Sequence, residues 1–286
     1  MTTAIIRRRG ALAAAACLAL LPLTAACGSS SSSGATTYGT LSAGTLKFAF
    51  RADDKPVSFV KDGKPAGFMV DLTTAMAAKL HLKATYVSTN FDSMLPDVRN
   101  HMFDAAAFGT LVTPARQQQT AFTTAVNYSQ AQVLSLKKSP IAAVSDCNGK
   151  TVAVTQGSEL IPLLQKIAPK VTVRQFPNVA SSANALVAGQ VDGLLTGVAT
   201  TQNLLSQHKD FTASPPITSG MSAFPVAKDR PKLLTALDSA LAQVIKDGTY
   251  TKLFAQWNPP GSTIPGKLLN DYPGMRQVPA ASAGTS

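Results

Sequence analysis

Six short apolar runs punctuate the chain: Leu46 to Phe50, Ala84 to Val87, Ala105 to Phe108, Thr151 to Val154, Val171 to Phe176 and Gly193 to Leu195. Each is too short for a helix and lies between polar or glycine-containing segments, so each predicts a strand. Between them the apolar spacing switches to three and four. Leu72, Ala75, Met76 and Leu80 share one helical face, and Leu233, Leu234, Leu237, Leu241, Val244 and Ile245 form a longer stripe after Pro231, a residue suited to the first helical position. The Met and Leu residues of these stripes are core. Alternation of strands and helices predicts α/β lobes with largely parallel sheets. A Ser/Gly-rich stretch from Gly28 to Gly39 and the Pro/Ala/Ser-rich end after Pro273 carry too little apolar surface to fold.

The first residues have a different pattern. Arg7, Arg8 and Arg9 precede an apolar run from Ala11 to Leu23, interrupted by Pro22, and then Leu23-Thr-Ala-Ala-Cys27-Gly28. This reads as an export signal, since the run is too short to span a bilayer. Ala25-Ala26 before Cys27, and the serines from Ser29 to Ser33 after it, look like a lipoprotein signal: residues 1–26 are removed, Cys27 is lipidated, and 27–43 form a tether. The protein is then expected on the outer face of the cell membrane, extracellular or periplasmic. An ordinary signal peptide releasing a free protein is the alternative. Arg9 and Gly10 stand where a twin-arginine signal needs apolar residues, so the general secretory path is expected.

Cysteine use agrees with this reading. Cys17 lies in the removed segment and Cys27 carries lipid, so Cys147 is left without an intramolecular partner and reads as a small buried hydrophobe. The net charge of +11 becomes +8 without Arg7 to Arg9, from 23 basic and 15 acidic residues. The lysines are scattered and no basic block with interleaved aromatics occurs, which argues against nucleic-acid binding. Gly149-Lys150-Thr151 resembles the end of a phosphate loop, but Val144 takes the glycine position and the segment leads into a strand. No hydrolase elbow and no metal-ligand spacing appears, so neither cofactor nor metal is expected.

One segment does carry site chemistry. Thr113-Pro114-Ala115-Arg116 reads as a helix start, with Thr113 as N-cap and Pro114 as first helical residue. Gly109 closes the apolar run just before it. Backbone N–H groups, the positive helix end and the Arg116 fork then converge on one small anion, an arrangement that holds a carboxylate without reacting with it.

In order along the chain come Gly44-Thr-Leu-Lys-Phe-Ala49, Pro56-Val-Ser-Phe59 with Asp62-Gly63-Lys64, Gly67-Phe-Met-Val-Asp-Leu72, Phe103-Asp104-Ala105, Thr113-Pro-Ala-Arg116, Gly149-Lys-Thr-Val-Ala-Val154, Gln156-Gly157-Ser158, Gly189-Gln-Val-Asp192 and Asp247-Gly-Thr-Tyr250 with Trp257. This series resembles the family 3 extracellular solute-binding proteins, receptors for polar amino acids in ABC importers. The resemblance implies an α/β, two-lobed periplasmic-binding-protein fold of type II, each lobe a mostly parallel sheet flanked by helices, with two hinge crossovers near Tyr128 to Gln132 and Met221 to Pro225. Lobe 1 would be 44–129 plus 225–275 and lobe 2 would be 130–224, with 276–286 a disordered tail. It also implies a monomer that binds a small polar solute and works with ABC permease and ATPase subunits. Ligands of open parallel sheets lie beyond the strand C-terminal ends, so Phe108-Gly109-Thr110 and Thr155 to Ser158 should face each other across one cleft.

Carried onto this chain, the resemblance assigns Arg116 to the ligand carboxylate and Gly109 to close backbone approach. Gln156, Gly157 and Ser158 meet the same carboxylate from lobe 2, with Glu159 replacing a hydroxyl residue there. Phe59 and Thr110 complete the expected lining. Three positions depart from an amino-acid receptor. Leu111 replaces the hydroxyl five residues before the arginine, and Thr110 would point to the other face if the strand pleat continues. Asp53-Asp54-Lys55-Pro56-Val57 lacks the usual stacking aromatic. Gly197 replaces the acid that pairs with the ligand ammonium, and an ammonium stripped of water without an anion costs several kcal/mol. Either Asp53 or Asp54 enters the cleft to take that role, or the ligand has no ammonium there; as the bland alternative both are turn residues before Pro56. Asp71, Asp104 and Asp192 are read as holding helix and loop starts.

Two other functions fit the same fold. A cyclohexadienyl dehydratase resembles these receptors, but His81, His101 and His208 fall outside the predicted cleft loops, leaving Glu159, Asp53 and Asp54 as the only acids for such chemistry. A sensory or scaffold lipoprotein is the other. A non-enzymatic receptor is the expectation.

Overall fold

The computed structural model describes residues 37–279, so the export signal, Cys27 and the last seven residues lie outside the described part. A five-stranded sheet runs in the order 83–88, 45–50, 105–106, 225–226, 121–122. Its first three strands are parallel and the last two join antiparallel. Along Thr45–Phe50 the period of two separates the faces: Leu46, Phe48 and Phe50 lie in the cluster with Leu72, Met76, Leu237 and Leu241, while Ala49 lies against Met94, Val98 and Phe103. The first cluster is built by the helices Phe68–Lys79 and Pro231–Lys246, which carry the stripes read from the sequence, and by Thr249–Trp257. Each fully buried Leu or Phe contributes roughly 1.5–3 kcal/mol. Tyr250, also fully buried, donates its hydroxyl hydrogen to the Val126 carbonyl at 2.7 Å, which satisfies its polar end.

The second sheet has the order 172–176, 151–155, 193–197, 127–136, 217–223, 110–111, with 211–213 also paired to 127–136. Its first three strands are parallel; those that follow are antiparallel. Cys147 is fully buried with Val152, Val154 and Leu164 on one face, and Ala153, Leu186 and Leu194 fill the other. Burial pushes the Cys147 thiol up to about 11, so it is an inert core residue.

The expected parallel sheets therefore hold only for the strands that alternate with helices. The difference lies in two long strands, Asn127–Leu136 and Ile217–Ala223, which carry the chain out to the second sheet and back, antiparallel to each other. A third, small sheet, Asp53–Asp54, Ser58–Lys61 and Lys64–Ala66, turns at Asp62-Gly63, both with positive φ of 51° and 72°. The expected structural acids are in place. Asp104 accepts from the N–H groups of Leu41 and Lys47 and pairs with Arg230, Asp192 accepts from Thr151 N–H, and Asp71 accepts from the Trp257 indole.

Candidate functional site

Between the two sheets lies a cavity of about 420 Å³. The first sheet and its connections give it Arg51, Asp54, Phe91, Phe108, Gly109 and Arg116; the second gives Leu111, Thr155, Ser158, Glu159 and Thr196 to Thr200; Asn127 to Ala131 of the crossing strand form the floor.

The helix start reads as the sequence implies. Thr113 is extended and its hydroxyl accepts from Arg116 N–H at 3.3 Å, opening the single-turn helix Pro114–Gln117. That cap sets the Arg116 side chain, which is buried, into the cleft. Nη1 donates to the Leu111 carbonyl at 2.9 Å, Nη2 donates to the Gly157 carbonyl at 2.9 Å, and Nε faces Glu159 Oε1 at 3.2 Å. Burial lowers the Arg116 pKa and the Glu159 carboxylate opposes that shift. Gly157 presents a carbonyl to Arg116 rather than an N–H. It holds φ +73°, and a Cβ there would stand 3.0 Å from Cα and Cβ of Asp92, so the two walls touch at this point.

A second buried guanidinium, which sequence reasoning missed, also borders the cavity. Arg51 follows the last residue of Thr45–Phe50, at the C-terminal end of a parallel strand, and that position was the available signal. Its guanidinium carbon lies 5.7 Å from the Phe91 ring centre and 5.5 Å from that of Phe108, a double cation–π contact. Asp53 accepts from Nη2 at 3.3 Å and Asp54 Oδ2 lies 3.5 Å from Nη1. Both acids also reach the opposite wall. Asp53 accepts from Val179 N–H at 2.8 Å, at the start of helix Val179–Val187, and Asp54 accepts from the Thr200 hydroxyl at 2.6 Å. Burial pushes the Asp54 carboxyl above its ordinary range against the lowering effect of Arg51.

Of the residues singled out from the sequence, Asp54, Gly109, Arg116, Ser158, Glu159 and Gly197 line the main cavity. Thr110 and Gly157 line a neighbouring space of about 230 Å³ beside Asp92, and Thr110 faces away from the main cavity, as the pleat requires. Phe59 lines neither: it is buried edge-on against Trp257, 5.7 Å between ring centres, because the Ser58–Lys61 strand turns it to the helical layer. Gln156 is exposed and lines neither space, since its N–H is spent on the Phe176 carbonyl and its side chain points to solvent. Asp53 and Asp54 are not simple turn residues, for both bridge the cleft. At Gly109 a Cβ would stand 2.9 Å from Met69 Cε, the movable end of that side chain, and 3.3 Å from Ser222 Cβ, so a larger residue there would require Met69 to shift. Gly197 is different. It precedes helix Val198–Gln207, and a Cβ there would meet only the Gln130 carbonyl, at 4.0 Å, so packing does not forbid an acid at that position.

His101 pairs with Asp229, His208 stacks on Phe211 and none of the three histidines lines the cavity. Among the described residues no group of His, Cys, Asp and Glu is placed to hold a metal, and no helix is long and apolar enough to cross a membrane.

Comparison with known proteins accounts for this architecture. The ABC transporter arginine-binding protein 1 of Escherichia coli (strain K12) is 26% identical over 78% of this chain and 94% of its own length. An ancestral arginine-binding protein bound to arginine superposes with a TM-score of 0.72 at 28% identity, covering 75% of this chain and 98% of its own. An ancestral amino acid-binding protein described as a precursor of cyclohexadienyl dehydratase gives 0.70 at 29% identity, covering 76% and 96%. The sequence profile of the bacterial extracellular solute-binding proteins, family 3, matches residues 46–260, and with the two-lobed α/β fold and its interlobe cavity this shows that the chain belongs to that family.

Proposed function

We propose that the protein captures a small amino-acid-like solute bearing a carboxylate between its lobes and presents it to the permease of an ABC importer. One observation supports this most directly: the Glu159 carboxylate rests against Arg116 Nε at 3.2 Å, inside the cleft, on a guanidinium that bridges both walls. A guanidinium that holds a resident carboxylate has the geometry to hold a ligand's, with Glu159 giving way. Closure then depends on contacts to both walls at once, as in hinge-type receptors. Lipid attachment at Cys27 keeps the receptor at the outer membrane face as a monomer beside the permease and its ATPase.

Binding without chemistry is the better reading of the acids. Catalysis needs a free acid or base beside the bound carboxylate. Asp54 and Glu159, the acids lining the cavity, are each engaged by an arginine. The experiment is calorimetry with L-amino acids and simple carboxylates on the purified protein and on Arg116→Ala. The expected result is a ligand whose affinity falls roughly a hundredfold in the variant, about 3 kcal/mol. Unchanged affinity would refute the carboxylate role of Arg116.

A further inference from the structure

The stretch that matches the family profile ends at residue 260, but the chain stays on the fold beyond it. Ile264 and Leu268 are buried in the same cluster as Leu237 and Leu241, so the segment after helix Thr249–Trp257 is packed against lobe 1. The Gln277 side-chain amide accepts from Ile264 N–H at 2.7 Å and donates to the Ile264 carbonyl at 2.9 Å, which closes a loop on that residue. The crossing strand and its approach hold the other side. Tyr128 donates its hydroxyl hydrogen to Asp271, and Tyr272 donates to the Ala125 carbonyl at 2.7 Å. Residues 258–265 are therefore a strap fixed at both ends.

This strap walls the cleft. Asn258, Pro259, Gly261, Ser262, Thr263 and Pro265 all border the cavity, and none of them is charged. The four charged residues of the lining, Arg51, Asp54, Arg116 and Glu159, pair with each other. They gather around Phe91, whose ring centre lies 5.7 Å from both guanidinium carbons. The helix that leads into the strap adds Phe254 and Trp257 to the lining, and Phe68 packs edge-on against Phe254 at 5.9 Å. Trp257 spends its N–H on Asp71 at 2.7 Å, so its indole has only carbon surface left to offer a ligand. A carboxylate at Arg116 thus sits in the charged part of the cavity, and the rest of the ligand meets an uncharged, partly aromatic wall. At about 420 Å³ the cavity falls in the range of roughly 300–1,000 Å³ that encloses drug-sized molecules, which leaves space for more than a carboxylate and an ammonium.

We propose that the strap builds a second, uncharged subsite, so that the cleft takes a carboxylate solute carrying a ring-sized apolar extension, packed against Trp257 and residues 259–265. This rests on the carboxylate-receptor reading above and narrows it. The specificity element lies mostly outside the stretch that matches the family profile.

The test is calorimetric titration of the purified protein with two matched pairs, glycine against N-benzoylglycine and L-alanine against L-phenylalanine, which place the same ring on the nitrogen or on the side chain. In at least one pair the extended member should bind roughly tenfold or more tightly than its parent. Trp257 is the single tryptophan of the chain, so its emission should move with that member and not with the parent. Ser262→Phe, which fills the subsite from the strap, should erase the preference. Should this variant lose its circular-dichroism signature, Thr263→Phe decides in its place, because Thr263 is exposed at its outer side. Equal affinities within both pairs overturn the inference, and so does a preference indifferent to both substitutions. If binding is abolished by Arg116→Ala yet shows no ring preference, this inference falls and the carboxylate reading stands. If a strap-dependent preference survives Arg116→Ala, the carboxylate reading falls and takes the charged half of this inference with it. If nothing in the panel binds, this inference falls and only a wider panel rescues the carboxylate reading.

Discussion

Arg116 and Arg51 stand on the same wall of one cleft, yet only Arg116 announces itself in the sequence. Its position follows from four consecutive residues, since a Thr cap and a Pro at the first helical position fix where the side chain leaves the backbone. Arg51 is held at its edge by Asp53 and Asp54, two and three residues on, but its faces are set by Phe91 and Phe108, far away along the chain. The arginine that local sequence identifies makes two hydrogen bonds, to the Leu111 and Gly157 carbonyls, and an ion pair with Glu159, whereas the one it hides makes a single hydrogen bond, to Asp53, and an ion pair with Asp54. Local motifs report where a group enters a site; long-range packing decides whether it is free to bind.

Arg116→Ala, the hundredfold loss described above, is the most severe way to break this comparison. Next in size is Glu159→Gln. If Glu159 competes with a ligand carboxylate for Arg116, removing its charge should tighten carboxylate binding several-fold, roughly 1 kcal/mol, because a partly exposed ion pair no longer has to be displaced. A loss of affinity in the Gln variant would instead make Glu159 a ligand contact. The matched variant at the other guanidinium is Arg51→Met, which keeps an apolar stem between Phe91 and Phe108, and the pair of results shows on which arginine ligand affinity depends.

Much of the fold was legible because short apolar runs and three-four stripes are local signals. The crossing strand Asn127–Leu136 was not. Its Ser129, Gln130, Gln132 and Ser135 interrupt the apolar pattern that marks the other strands, and they are accommodated by partners outside the strand: the Gln132 amide donates to the Ser214 carbonyl and the Ser135 hydroxyl accepts from Ile141 N–H. Phe59 misled for a related reason. The Pro56 to Phe59 segment locates a cleft-side loop, but the side of the strand on which the ring falls depends on Trp257 near the other end of the fold. At the acid pair the sequence left entry into the cleft or a plain turn role open; Asp54 lines the cavity, and both carboxylates reach across the cleft, Asp53 to Val179 and Asp54 to Thr200.

A smaller effect sharpens the charge argument at Gly197. Its φ of −63° is accessible to any residue and space is open beyond it, so Gly197→Asp should fold, and an Asp before helix Val198–Gln207 adds at most a few tenths of a kcal/mol as N-cap over glycine. The same carboxylate would face the cavity and give a ligand ammonium its missing anion. Titration should then show tighter binding of zwitterions and no change for a simple dicarboxylate such as glutarate. Equal gains for both would show that the mutation acts through the helix alone.

The smallest effect concerns Asp54, the acid beside Arg51. Burial raises its folded pKa above the ordinary 3.8, so the folded state holds a proton that the unfolded chain releases. Its contribution to stability is therefore complete below 3.8 and is lost as pH climbs through the raised folded value. Asp104 and Asp238 shift in the same direction, so the total slope alone does not isolate it. The difference between the unaltered protein and Asp54→Asn does. Denaturant melts across the acid range should show the Asn variant losing less stability as pH rises, while the Thr200 contact keeps a side-chain oxygen to accept its hydrogen bond. A parallel pair of pH curves would mean that Asp54 is as well solvated in the fold as in the unfolded chain, against the burial that its place between Arg51 and Thr200 implies.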